Sequence, residues 1–134
     1  MEHSLELMRD AKTIAVVGVS ADTSRPSNDV ARYLIDAGYT VYLVNPTERE
    51  IFGQPVYASL AEVPEAVDIV DIFRRPGDVP PVVEAAIEAG AKAVWMQLGI
   101  VNEDAAAEAR AAGLDVVMDR CTKIEHHKLL ATRA

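Results

Sequence analysis

Apolar and polar positions along this chain alternate between a period-two, strand-like pattern and a helical one. TIAVVGV (13–19) is a β-branched apolar run suited to a strand buried on both faces. NDVARYLIDAG (28–38) repeats Val30, Leu34 and Ala37 at helical spacing and closes on Gly38. TVYLVNP (40–46) predicts a second strand, stopped by Pro46. IFGQPVYASLAEVPE reads as an irregular crossover in which Ser59 and Glu62 form an S-x-x-E capping box for a short helical turn. VDIVDIFR (67–74) is the third strand. RPGDVPPVVEAAIEAG (75–90) then predicts a helix with Asp78 as N-cap, prolines in its first turn and Gly90 at its close. AKAVWMQLG (91–99), NEDAAAEARAAG (102–113) and LDVVMD (114–119) continue as strand, helix and fifth strand. The tail RCTKIEHHKLLATRA reads as a short, fraying helix. Residues 1–12 and 124–134 are expected to be peripheral to a single domain spanning 1–134.

Strands that alternate with helices imply a parallel sheet covered on both sides. Right-handed crossovers leave few topologies, and the expected fold is α/β, a Rossmann-like doubly wound sheet of about five parallel strands. Ligands of such sheets sit beyond the carboxyl ends of the strands. That rule selects five loops: 18–28, 45–49, 73–78, 97–102 and 119–123.

Composition narrows the ligand. The 134 residues suit one domain, and no apolar run reaches the roughly 18 residues of a membrane span. The N-terminus lacks a signal-like apolar stretch, and the single cysteine, Cys121, allows no internal disulfide, so a cytoplasmic location is expected. Lys and Arg number 13 against 21 Asp and Glu, a net charge of −8, which argues against nucleic acid as a partner. A small anion remains compatible, because a few local cations and a helix N-terminus suffice for it.

The loop GVSADTSRPSN (18–28) stands where a dinucleotide fold carries three glycines, but has Gly18, Ser20 and Thr23 at those positions. Gly18 permits a sharp turn. The hydroxyls of Ser20, Thr23, Ser24 and Ser27, backbone N–H groups near Asn28, and Arg25 could face phosphate oxygens. A capped turn without ligand is the other reading of the same residues. The second strand ends in Asn45-Pro46 rather than an acid, which weakens an NAD site, although Glu48 lies just beyond. Arg74 and Arg75 end the third strand. Neighbouring strand residues point opposite ways, so only one of the two is expected to reach a ligand. Phe73 is a candidate wall, Gln97 a partner for a ligand amide, and Leu98, Ile100 and Val101 an apolar surface, while Trp95 reads as packing. Cys121, Lys123, Glu125, His126 and His127 form the reactive-looking cluster. Zinc-type spacing is missing, and the two histidines should point apart, so structural or ligand-lining roles are expected. No catalytic constellation and no metal site is assigned. The residues by themselves point to a phosphorylated nucleotide.

Taken in order, IAVVGVS, SRPSNDVARYL, YLVNP, IFGQPVYASLAEVPEAVDIVDIFRRP, VWMQLGIVNEDAAAEARAAGLDVVMDRC and KIEH resemble the small CoA-binding proteins related to the N-terminal domain of the succinyl-CoA synthetase α subunit. The resemblance covers nearly the whole chain. It implies coenzyme A or an acyl-CoA as ligand and no catalysis by this domain. Gly18, Ser20, Arg25 and Ser27 would then line the phosphates, and Asn45 and Pro46 would border the adenosine. Phe73 with Arg74 or Arg75 would hold the third-strand side, and Gln97 and Gly99 would face the pantetheine. The synthetase's ligase chemistry needs a second domain with a phosphorylated histidine, for which 134 residues leave no room, so His126 is not expected to inherit that role. Two other readings stay open: a small NAD(P)-binding oxidoreductase or redox sensor, and an interaction subunit with a protein partner that has kept the fold and lost the ligand.

Overall fold

The apolar runs assemble into a single sheet in the computed structural model, which describes residues 2–132. Its strands are β1 (Thr13–Val17), β2 (Thr40–Val44), β3 (Glu50–Ile51), β4 (Gln54–Tyr57), β5 (Ile69–Ile72), β6 (Ala93–Met96) and β7 (Asp115–Val117). The helices are α1 (His3–Asp10), α2 (Pro26–Asp36), α3 (Val79–Glu88), α4 (Glu103–Ala111) and α5 (Thr122–Thr132). Strand order is β3-β4-β2-β1-β5-β6-β7, parallel throughout except for the β3–β4 pair. The chain moves outward from β1 in one direction and returns to β1's other edge as β5. The topological switch point therefore lies between β1 and β5. The doubly wound Rossmann-like architecture is as expected, with two strands more than the hydrophobic pattern predicts.

Those two strands lie in the segment read as an irregular crossover. Phe52 and Gly53 both take positive φ, 56° and 73°, as the two central residues of a type I′ hairpin turn do. The hairpin lets β4 run parallel to β2, with Leu43 beside Val56. Strands of two and four residues are too short to show periodicity. The capping box forms as read: Ser59 N–H donates to Glu62 Oε2 at 3.0 Å, over a 3₁₀ turn at Leu60–Glu62. Asp78 stands at the N-cap position of α3, as expected, but it also ends a separate 3₁₀ turn (Pro76–Asp78) and its side chain makes no capping hydrogen bond.

Alternate residues of each central strand feed two cores. Ala15, Val17, Val70, Ile72, Val94 and Met96 pack under α3 and α4 through Val79, Val83, Ala86, Ala105, Ala106 and Ala109. Ile14, Val16, Leu43, Ile69 and Trp95 pack under α1, α2 and α5 through Met8, Val30, Ala31, Leu34 and Leu129. Trp95 is fully buried, as expected, and its Nε1–H donates to the Arg120 carbonyl at 2.8 Å.

Within the described residues the two end segments are not peripheral, contrary to the sequence reading: α1 packs on α5, and Met8 and Leu129 are both 1% exposed. The buried Glu125 carboxylate accepts from Ser4 Oγ at 2.7 Å and lies 3.1 Å from Lys128 Nζ, so a charge inside the tail ties the two ends together. The helix of the tail turns Glu125 and His126 inward along with Leu129. His126 Nδ1 sits 2.6 Å from the Tyr33 hydroxyl, and the neighbouring His127 ring stacks on the same tyrosine. The two histidines, expected to diverge, thus share one aromatic partner. No helix among the described residues is long and apolar enough to cross a membrane.

Adjacent leucines separate a core role for the tail from a peripheral one. Leu129→Ala is expected to cost about 2–5 kcal/mol by urea unfolding. Leu130→Ala, at a 46% exposed position, should stay within about 0.5 kcal/mol of the parent.

Candidate functional site

At the carboxyl ends of β1, β5 and β6, where the sheet's topology directs ligands, the surface opens into a pocket of about 530 Å³. Of the residues selected from sequence, Gly18, Ser20, Arg25, Ser27, Phe73, Arg74, Arg75 and Gln97 line it. Leu98 and Ile100 join them from the expected apolar surface, while Val101 does not, and Pro26, Val30, Pro76, Cys121 and Ile124 complete it.

Gly18 takes φ +92°, and its N–H extends the β1–β2 ladder to the Val44 carbonyl at 2.9 Å. A Cβ at this position would collide with the Phe73 carbonyl oxygen. Glycine is therefore required by both conformation and contact. Beyond it the loop is braced internally. Ser27 Oγ accepts the Ser20 N–H at 3.0 Å, Ser20 Oγ accepts the Asp22 N–H at 3.0 Å, and Asn28 Nδ2 donates to the Ser20 carbonyl at 2.9 Å. Each serine oxygen thus accepts from backbone and keeps its own O–H to donate outward. Arg25, directly before α2, has a single ion pair among the described residues: exposed Asp22, 3.9 Å away. That pair is weak enough for an incoming anion to replace.

Arg74 and Arg75 both line the pocket, although only one was expected to. Regular strand ends at Ile72, and Arg75 leads into the 3₁₀ turn with φ −59° and ψ 148°, so side-chain alternation no longer applies. Neither arginine is in an ion pair among the described residues.

Asn45, Pro46 and Gly99 do not line this pocket. Asn45 is a strut. Its Nδ2 donates to the Val19 carbonyl at 2.8 Å, and its Oδ1 accepts from the Thr47 N–H and hydroxyl, both at 2.9 Å. The Gly99 N–H is held by Asp119 Oδ1 at 2.7 Å.

Below the pocket wall lies a group that sequence reading passed over. Asp71 on β5 is fully buried, accepting from Gln97 Nε2 on Oδ1 at 2.5 Å and from Thr122 Oγ1 on Oδ2 at 2.9 Å. Gln97 Nε2 also donates to Thr122 Oγ1 at 2.9 Å. Burial pushes the Asp71 carboxyl up from 3.8 to about 7, outweighing the two donors that pull it down. The signal was an acid inside VDIVDIF, where every neighbour on its face is apolar.

Comparison with known proteins bears on what this pocket takes. The profile described as the CoA binding domain matches residues 12–127. The chain belongs to that family. Uncharacterized protein YneT of Bacillus subtilis is 40% identical over 121 residues, 90% of each chain. A hypothetical protein from Pyrococcus horikoshii superposes with a TM-score of 0.92 at 40% identity, over 95% of this chain and 89% of that one. The α subunit of ADP-forming acetate–CoA ligase I of Pyrococcus furiosus is 36% identical over 97 residues, 68% of this chain but 21% of the subunit. The resemblance seen in the sequence motifs and this family membership agree.

A raised acid pKa destabilises the fold where the group must ionise. Asp71's contribution is therefore full below pH 3.8 and declines as pH rises through about 7, by on the order of 4 kcal/mol. Asp10, hydrogen-bonded by Arg9, and Asp22, hydrogen-bonded by Ser24, have lowered pKa values and act below the usual carboxylate range. The two windows are separate. The stability of the wild type minus that of Asp71→Asn, from urea unfolding, should fall steadily between about pH 4.5 and 7.5. A flat difference would contradict the assignment.

Proposed function

We propose that this chain binds coenzyme A or an acyl-CoA as a non-catalytic module. The observation that carries the reading is the convergence of Arg25, Arg74 and Arg75 on one pocket with an apolar wall, in a chain whose net charge is −8. Family membership supplies the ligand class, and the pocket's chemistry fits its parts. Phosphates call for guanidinium forks and hydroxyl donors, which the three arginines with Ser20 and Ser27 offer. The pantetheine arm calls for an apolar groove with few polar contacts, which Val30, Phe73, Leu98, Ile100 and Ile124 offer. A volume of about 530 Å³ lies within the usual range for small-ligand sites, roughly 300–1,000 Å³. The start of α2 adds the positive end of a helix dipole.

An NAD(P) site finds less support. The residue where a ribose-binding acid would stand is Asn45, and both ends of its carboxamide are engaged within the protein. Asn45 and Pro46 remain candidates to border an adenosine that extends past the pocket, and Gly99 a candidate to approach the ligand through its backbone.

Isothermal titration with CoA, 3′-dephospho-CoA and NADH tests the reading. CoA is expected to bind most tightly, and the double substitution Arg74→Ala/Arg75→Ala to weaken CoA by about ten- to a hundredfold, the loss of one or two charge-assisted hydrogen bonds. The same substitution should affect dephospho-CoA less, because one of the phosphates offered to these arginines is the 3′-phosphate that dephospho-CoA lacks. Equal affinity for CoA and dephospho-CoA would remove the 3′-phosphate from the argument, and NADH binding above both would favour the oxidoreductase reading.

A further inference from the structure

The buried cluster of Asp71, Gln97 and Thr122 has a complete hydrogen-bond count. Gln97 Nε2 offers two protons and the Thr122 hydroxyl one. They are taken by Asp71 Oδ1, Thr122 Oγ1 and Asp71 Oδ2, with nothing left over. Gln97 Oε1 has no partner among the described residues. Among those residues no fully buried side-chain polar atom lacks a partner, so Oε1 keeps some exposure on this 3% exposed, pocket-lining residue. Leu98, Ile100 and Ile124 line the same pocket. A carbonyl acceptor fixed in such a wall binds an N–H donor well and leaves another acceptor unpaired.

We propose that Asp71 and Thr122 are positioning residues: they hold Gln97, which the family resemblance already sets against the pantetheine, with its side-chain carbonyl toward an amide N–H of that arm. The inference rests on the CoA reading above and deepens it. The same count gives the cluster a dependence on pH. Protonation of Asp71 adds a fourth proton to three contacts that already hold one each, and turning over the Gln97 carboxamide, which brings Oε1 to Asp71, makes room for it. The pocket then sees an N–H donor where an amide N–H of the ligand needs an acceptor. Burial sets that transition near neutrality, at about pH 7.

Other charges around Asp71 are committed elsewhere. Its strand neighbours β1 and β6 carry no ionisable side chains. On α2 and α5, Asp29 pairs with Lys123, Glu125 with Ser4, Arg120 and Lys128, and His126 with Tyr33. Cys121 and the arginines at 25, 74 and 75 line the pocket on the ligand's side.

Asp71→Asn is the informative substitution, because it is neutral and nearly isosteric. The carboxamide it introduces can donate to Gln97 Oε1 and accept from Thr122, which fixes the turned-over Gln97 side chain at every pH. Calorimetric titration of CoA into both proteins should give a ratio of variant to wild-type Kd of about ten at pH 8, falling toward one at pH 6. Ionisation of the CoA phosphates cancels in that ratio. Adenosine 3′,5′-bisphosphate, which lacks the arm, should bind the two proteins within about twofold at pH 8. Gln97→Met should likewise weaken CoA about tenfold and spare the bisphosphate. A ratio that does not change with pH, or equal losses for CoA and the bisphosphate, would overturn the role of Gln97 while leaving CoA binding in place. Absence of CoA binding to the wild type would overturn both readings together.

Discussion

At the carboxyl ends of β1 and β5 the chain has room for backbone only. The Phe73 carbonyl oxygen occupies the space that a side chain on residue 18 would need. Phe73 N–H in turn donates to the Val17 carbonyl at 2.8 Å, so the two strands stay in register to their last residues. Because the connections on either side of this pair run in opposite directions across the sheet, they splay apart just above it. The 18–28 loop turns toward α2, the 73–78 segment turns toward α3, and the pocket is the space between them. The arginines of the two segments line one pocket because a glycine lets their strands end side by side.

That arrangement concentrates positive charge in a protein that is negative overall. An anion approaching the surface meets repulsion from a net charge of −8, felt over a Debye length of roughly 8–10 Å. Inside the pocket short-range interactions decide. Guanidinium hydrogen bonds strengthen where apolar walls displace water, and Phe73, Leu98, Ile100 and Ile124 supply those walls. The serines contribute direction more than charge. With their oxygens committed to Ser20 N–H and Asp22 N–H, the loop is already folded, and its ordering cost is met before a ligand arrives.

What the sequence revealed tracked how locally each feature is determined. β1, β2, β5, β6 and the helices between them follow from runs of residues whose side chains all serve the same core, and their alternation implied the doubly wound sheet. Gly18, Ser20, Arg25, Ser27, Phe73 and Gln97 were legible because that topology nominates strand-end loops. Features that depend on partners distant in sequence were read incompletely or not at all. The β3–β4 hairpin is too short to carry a period and takes its identity from pairing with β2. Helix α5 has no amphipathic stripe to read, since its buried face mixes Thr122, Glu125 and His126 with Leu129. Ser4 lies 121 residues from the carboxylate it holds. Asp71 looked like one more acid in an acidic chain until Gln97 and Thr122 closed around it.

Helix α5 joins these threads, because it belongs to the core and to the pocket at once. Glu125 and Leu129 anchor it against α1 and the sheet, while Cys121 and Ile124, at and just beyond its start, line the pocket. Thr122 lies between them and reaches the Asp71 carboxylate from above. A displacement of the first turn of α5 would therefore disturb the pocket wall and the orientation of Gln97 together. The converse also holds. A ligand that fills the groove against Ile124 and accepts the Gln97 geometry holds Thr122 in place, and with it a buried acid whose ionisation otherwise costs stability. On the reading proposed above, the first turn of α5 and the arm of the ligand meet at one set of three hydrogen bonds.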